Sequence, residues 1–197
     1  MGFTKKTTYY SGIVYEWNLP TGWTCPCAKE CLVKVDKLTG KMDNKSNAYK
    51  CYSASAERFP GVRTSRWDNL EQSKDSLPQL PKKCQSVRIH ASGDFYSQAY
   101  FDKWIDYCNE NKDVEFWAYT KSLKFWVRRI NDIPSNLILT ASWGGKLDNL
   151  IIEHNLKSAM VISEMKYDKP IDYNDDVARQ KDVSFYLLDN NKKISSK

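Results

Sequence analysis

Apolar positions along this chain come in short runs, and amphipathic or turn-rich stretches separate them. β-Branched and aromatic residues fill residues 8–17 and predict a first strand over 12–17, broken by Asn18-Leu-Pro-Thr-Gly22. Residues 23–51 show little periodicity, and 36–47 form a polar, turn-rich excursion. A helix is expected over 52–59, ahead of Pro60-Gly61, and another over 66–77. The following signals are sharper. Residues 86–91 read as a second strand, stopped by Ser92-Gly93-Asp94. Residues 97–111 read as a helix with Tyr100, Trp104, Ile105 and Cys108 on one face, a helical stripe. Strands follow at 114–119, 137–142, 159–163 and 183–188, with helices at 122–131 and 147–155 between them.

Alternating strands and helices predict an α/β fold with a parallel sheet and crossover helices. Six such steps fit either an open doubly wound sheet or a partial barrel, and in both the ligand site lies at the C-terminal strand ends. The residues just after each strand therefore become site candidates. Residues 1–190 are expected to form one domain with a cysteine-bearing loop at 23–51, and 191–197 a basic tail.

Composition narrows the class. With 41% hydrophobic residues the chain can bury a core, which argues against disorder. No apolar run reaches the roughly 18 residues of a membrane span, and no signal-peptide pattern opens the chain, so a cytoplasmic address is expected. The net charge of +6 is mild. Its local points, Lys5-Lys6, Lys82-Lys83, Arg128-Arg129 and Lys192-Lys193 through Lys197, read either as solvated surface or as contacts for a nucleotide or nucleic acid.

Cysteine placement adds the chemistry. Cys25, Cys27, Cys31 and Cys51 crowd the loop after the first strand, while Cys84 and Cys108 stand apart. In a reducing compartment such a cluster suggests metal ligands. No C-x2-C pair of the structural-zinc kind is present. An irregular loop with three or four thiolates suits an iron–sulfur cluster, whose ligands serve different irons. Burial as small hydrophobes is the plainer alternative, and it suits Cys84 and Cys108 best.

Further motifs carry a resemblance. Trp17-Asn18-Leu-Pro-Thr-Gly22, Thr24-Cys25-Pro26, Cys31 and Cys51-Tyr52-Ser53-Ala54 resemble the pattern of radical-SAM-like phage proteins. Arg88-Ile-His-Ala-Ser-Gly-Asp-Phe-Tyr-Ser97 and Tyr119-Thr-Lys-Ser122 resemble more specifically the phage gene product 88 family, over roughly residues 17–145. The resemblance implies a radical-SAM-like partial (β/α)6 barrel. It implies a [4Fe-4S] cluster on Cys25, Cys31 and Cys51, with Cys27 an extra ligand candidate, and S-adenosylmethionine as a second cofactor. The motif of the related enzymes that receives the cofactor's amino group corresponds to Ser92-Gly93-Asp94. The spacing departs from C-x3-C-x2-C: Cys27 and Cys31 fit its first half, and Lys34 stands at the third place.

Thr120, Lys121 and Ser142 complete the cofactor-binding candidates, as strand-end residues. Ser92-Gly93-Asp94 also reads as a simple turn, with Asp94 or Ser97 capping the next helix. Trp143 reads as a stacking surface for a nucleobase or as a cover over the strand ends, and Glu164 as a contact to a cofactor hydroxyl. His90 reads as a packed histidine and His154 as a surface one. No P-loop, Rossmann fingerprint or hydrolytic triad motif occurs. The expected function is that of an iron–sulfur, radical-SAM-like phage or mobile-element protein acting on a nucleotide or nucleic acid. The alternative is a non-enzymatic, zinc- or cluster-stabilised nucleic-acid-binding module.

Overall fold

In the computed structural model, residues 2–43 and 51–189 are described. The basic tail expected at 191–197 lies outside them. Seven strands, β1 (Thr4–Lys6), β2 (Val14–Trp17), β3 (Ser86–Ile89), β4 (Glu115–Thr120), β5 (Leu137–Ser142), β6 (Ser158–Ile162) and β7 (Phe185–Leu188), form one sheet in strict chain order. β1 is antiparallel to β2, and all later neighbours are parallel. Among the described residues four α-helices intervene: α1 (Pro60–Asp75), α2 (Gln98–Glu110), α3 (Leu123–Val127) and α4 (Asn149–Glu153). The fold is therefore mixed α/β with a mostly parallel sheet. No helix among the described residues is long and apolar enough to cross a membrane.

Strand order explains where the helices lie. The order never reverses, so right-handed crossovers all fall on one side of the sheet. One apolar cluster bears this out. Trp17, Val87, Ile89, Phe116, Ala118, Leu137, Leu139 and Ala141 pack against Tyr100, Trp104 and Ile105 of α2, Leu123 and Phe125 of α3 and Ile151 of α4. The opposite, inner face holds a smaller cluster of Val14, Trp117, Ile138, Ala159 and Phe185, covered by Tyr10 and Ala178. A doubly wound sheet would place helices on both faces, so that alternative is excluded.

Several elements differ from expectation. β1 precedes the strand expected first, and its three residues carry no apolar alternation to announce it. The helix expected at 52–59 is a five-residue 3₁₀ helix, Ala54–Arg58. α1 starts at Pro60, six residues before the expected start. Proline at the first helical position needs no N–H partner, so it begins the helix where it was read as a break. α1 also hides its buried side, because that side is polar: Arg63, Arg66, Asn69 and Ser73. No helix joins β6 to β7. An irregular segment runs there and lays Val177 and Ala178 on the inner face, so the expected sixth βα step is missing.

Candidate functional site

The cysteine-bearing loop leaves the end of β2 and crosses to the far side of the C-terminal strand ends. There Ala28 bridges Gly145, Glu30 N–H donates to Gly144 O at 3.1 Å, and Lys146 N–H donates to Cys27 O at 2.9 Å. Lys146 Nζ adds a bond to Pro26 O at 2.9 Å. The loop thus docks on the turn that follows β5.

α1 fastens the same loop from the other side. Arg63 donates to the carbonyls of Lys37, Leu38 and Glu57. Arg66 NH1 donates to Glu57 Oε1 at 2.8 Å and to Ser53 O at 3.0 Å. Glu57 Oε1 also accepts Thr21 N–H at 2.7 Å and the Thr21 hydroxyl at 2.6 Å. This buried ion pair ties the chain around Cys51 to the exit of β2. Gly22 lets the loop fold back: at φ +73°, a Cβ there would lie 2.2 Å from Val33 O.

Cys25, Cys31 and Cys51 lie near enough to one another for their charges to interact. Burial pushes each thiol above the usual cysteine range. At Cys25 the charges of Asp94, Cys51 and Cys31 push the same way. At Cys31 the Lys121 ammonium opposes burial, while Cys51 and Asp94 add to it. All three keep part of their surface open.

Cys27 is different. It is 4% exposed, and Ser122 and Lys124 lie near its thiol. Burial raises its pKa too, opposed chiefly by Lys124. Among the described residues no three Cys, His, Asp or Glu side chains are grouped closely enough to hold one metal ion. Of the remaining cysteines, Cys108 is buried in the α2 stripe and Cys84 Sγ lies 3.7 Å from Ser86 O.

The strand-end candidates form a strap near Cys25 and Cys31. Asp94 is buried. Its Oδ1 accepts the Thr120 hydroxyl at 2.6 Å and Phe95 N–H at 2.7 Å, and its Oδ2 accepts Lys121 N–H at 2.9 Å. Burial lifts its pKa to about 6 against these bonds. Asp94 does not cap α2; Ser97 does, accepting Tyr100 N–H at 3.2 Å. Ser92 donates to Leu19 O and sits 3.0 Å from the Thr21 hydroxyl. Gly93, at φ +85°, lets this turn press on the β2 exit, where a Cβ would lie 2.6 Å from Thr24 Oγ1. Lys121 Nζ donates to the Ser142 hydroxyl at 2.7 Å, to Ser142 O and to Trp143 O. The structure therefore joins Asp94, Thr120, Lys121 and Ser142 directly, and ties Ser92 and Gly93 to the loop after β2. Trp143 is half-buried against the helix-side core, and Glu164 and His154 are exposed.

Sequence reasoning missed a second polar group, on the inner face. Arg88 NH1 pairs with Asp175 Oδ2 at 2.9 Å, and Asp175 also accepts Tyr119 OH and Trp117 Nε1. Arg88 NH1 further donates to Tyr10 OH at 3.0 Å, which itself donates to Glu16 Oε1 at 2.6 Å. The one available signal was a charged residue alternating with Val87 and Ile89 inside an apolar strand.

A family model described as Gene product 88 matches residues 2–194. The Gene 88 protein of Mycobacterium phage L5 is 29% identical over 132 residues, covering 60% of this chain and 52% of that protein. The Gene 88 protein of Mycobacterium phage D29 is 28% identical over the same length, with the same shares. The chain spans about half the length of these curated relatives. No solved structure matches it.

Proposed function

The chain belongs to the Gene product 88 family, and from that premise we propose that it is an iron–sulfur protein on a radical-SAM-like, singly wound partial barrel. Cys25, Cys31 and Cys51 are the proposed ligands of a [4Fe-4S] cluster, and S-adenosylmethionine is the proposed second cofactor. One observation carries the reading: Cys25, Cys31 and Cys51 are partly open and near enough to feel one another's charge, with Asp94 near Cys25 and Cys31, while Cys27 is buried. The thiols are not gathered around a single point. In an iron–sulfur cluster each thiolate binds a different iron, so its ligands need not converge on one ion. When bound, a reduced cluster with one open iron supplies an electron to S-adenosylmethionine and so opens radical chemistry on a substrate.

The chain's own groups favour one of the thiolates: the Lys121 ammonium near Cys31 opposes the effect of its burial. Each thiol must shed a proton to bind iron, so loading strengthens as pH rises. The Asp94–Thr120–Lys121 bonds tie the strand ends together near Cys25 and Cys31. Anaerobic reconstitution followed by iron and sulfide analysis tests the cluster. Cys25→Ser, Cys31→Ser and Cys51→Ser are each expected to lose it, and Cys27→Ser to keep it. A colourless protein holding stoichiometric zinc overturns the reading. Release of 5′-deoxyadenosine on reduction with S-adenosylmethionine tests the second cofactor; no release from a demonstrably reduced cluster overturns that part.

A further inference from the structure

Lys121 ties the end of β4 to the end of β5 with a charge where a neutral group would serve. Its Nζ donates to the Ser142 hydroxyl at 2.7 Å, to Ser142 O at 3.1 Å and to Trp143 O. An ammonium has three N–H donors, and these neutral acceptors match all of them. The residue is half-buried, and no Asp or Glu among the described residues makes an ion pair with it. A neutral donor would make the same tie without the cost of drawing a charge out of water. What lies beside the ammonium gives the charge a purpose. Trp143 O precedes Gly144, whose O accepts the N–H of Glu30, the neighbour of Cys31. At Cys31 the Lys121 ammonium is the chief influence that opposes burial.

The other charges around this turn are engaged differently. Lys146 Nζ binds Pro26 O and Lys124 lies near Cys27, so both stand on the side of the buried cysteine. Asp148 accepts the N–H groups of Gly144 and Gly145, and Glu30 is exposed with its carboxylate against Gly144. Asp94 lies near Lys121 but gives its oxygens to the Thr120 hydroxyl and to the N–H groups of Phe95 and Lys121. These carboxylates oppose negative charge at the thiols, and Lys121 is the cation that favours it at Cys31. We propose that Lys121 is a positioning residue for electron uptake, its fixed positive charge beside the Cys31 loop raising the reduction potential of the [4Fe-4S] cluster. The inference rests on the cluster reading above. Thiolate ligands make such a cluster anionic, and one electron from an external reductant adds a further negative charge. A nearby ammonium therefore stabilises the reduced form more than the oxidised one.

The full chain, reconstituted anaerobically with iron and sulfide, is titrated with dithionite in the presence of redox mediators. The electron paramagnetic resonance of the reduced cluster gives the midpoint potential, which belongs to the loaded molecules and is not masked by partial loading. Lys121→Gln keeps a donor for Ser142 and Trp143 but removes the charge. At the parent's midpoint its ratio of reduced to oxidised cluster should be about tenfold lower, a shift of about 59 mV to more negative potential. Lys121→Arg keeps the charge and should titrate close to the parent. If Lys121→Gln loads poorly, Ser142→Asp replaces it: a carboxylate against Nζ cancels the charge with the lysine in place, and the same shift is expected. Equal midpoints for the parent and the charge-cancelled variant overturn the proposal. So does an equal shift in Lys121→Arg, which marks a purely structural tie. Loss of the cluster from both Lys121→Gln and Ser142→Asp overturns it in favour of a role in assembly alone. A parent that takes up no cluster fails the cluster reading itself, and this inference falls with it.

Discussion

The two faces of the sheet are made from alternate residues of the same strands, yet they solve different problems. On β3, Val87 and Ile89 join the helix-side core while Arg88, between them, enters the inner polar group. On β2, Tyr15 and Trp17 face the helices while Val14 and Glu16 face inward. The helix side is bound by area removed from water, which is non-directional. The inner side adds to its smaller apolar cluster a set of hydrogen bonds around the buried Arg88–Asp175 pair, where every donor needs its acceptor. One face is tolerant in its details and strong in sum; the other is exacting.

Truncation on the helix side tests that contrast with the largest effect. Trp104 is fully buried at the centre of the core. Trp104→Ala should cost about 3–5 kcal/mol of unfolding free energy, because the cavity adds to the lost transfer energy. Denaturant titration reads it, and a loss below about 1 kcal/mol would mean that the core does not rest on this residue.

A change of one charge, with almost no change of volume, should come close on the inner side. Asp175 lies at φ 64°, a region that Asn also tolerates, so Asp175→Asn isolates the charge from the backbone. It leaves Arg88 buried without its counter-ion, at an expected cost of about 3 kcal/mol. An unchanged midpoint would show that the ion pair is not what holds the inner segment.

The two faces were also unequally legible in the sequence. The stripe Tyr100, Trp104, Ile105 and Cys108 is the one α2 buries, and β5 falls on its expected residues, because both bury continuous apolar sets. α1 was misjudged at its start because its buried side is made of arginines and an asparagine that bind loop carbonyls. The Arg88–Asp175 pair was invisible for a related reason. Asp175 sits in a polar stretch 87 positions further on, without local pattern, and only the fold brings it to Arg88. The cysteine loop stood out because four thiols in a polar segment have no packing reason. That Cys27 would be buried while the other three stay partly open depended on contacts across the fold.

A smaller effect tests whether local bonding matters within the apolar face. Ser97 caps α2 through Tyr100 N–H. Ser97→Ala should cost about 1 kcal/mol, well below Trp104→Ala, by the same titration. A cost equal to that of the core truncation would overturn the ranking of area over single bonds on this side.

The smallest net effect comes from two groups at the end of β3 that titrate in opposite senses. Burial holds the His90 pKa down at about 3 against an ordinary 6.5, so the native state binds fewer protons there than the unfolded chain. Stability from His90 therefore falls as pH drops below 6.5, by about 1.4 kcal/mol per unit. Burial holds Asp94 up at about 6 against an ordinary 3.8, so the native state binds more protons in that interval. Its contribution is present at low pH and is lost as pH rises through 6. Between about pH 6 and 4 the two slopes cancel, and stability should be nearly flat after a small drop from 6.5 to 6. Asp94→Asn removes one of them. Whatever its absolute stability, that variant should lose about 1.4 kcal/mol per pH unit below 6.5, measured by denaturant midpoints at stepped pH. A variant as flat as the parent between pH 6 and 4 would show that His90 is not held neutral, and that the packing of Phe95, Tyr100 and Trp104 around its ring is looser than the rest of the helix-side core.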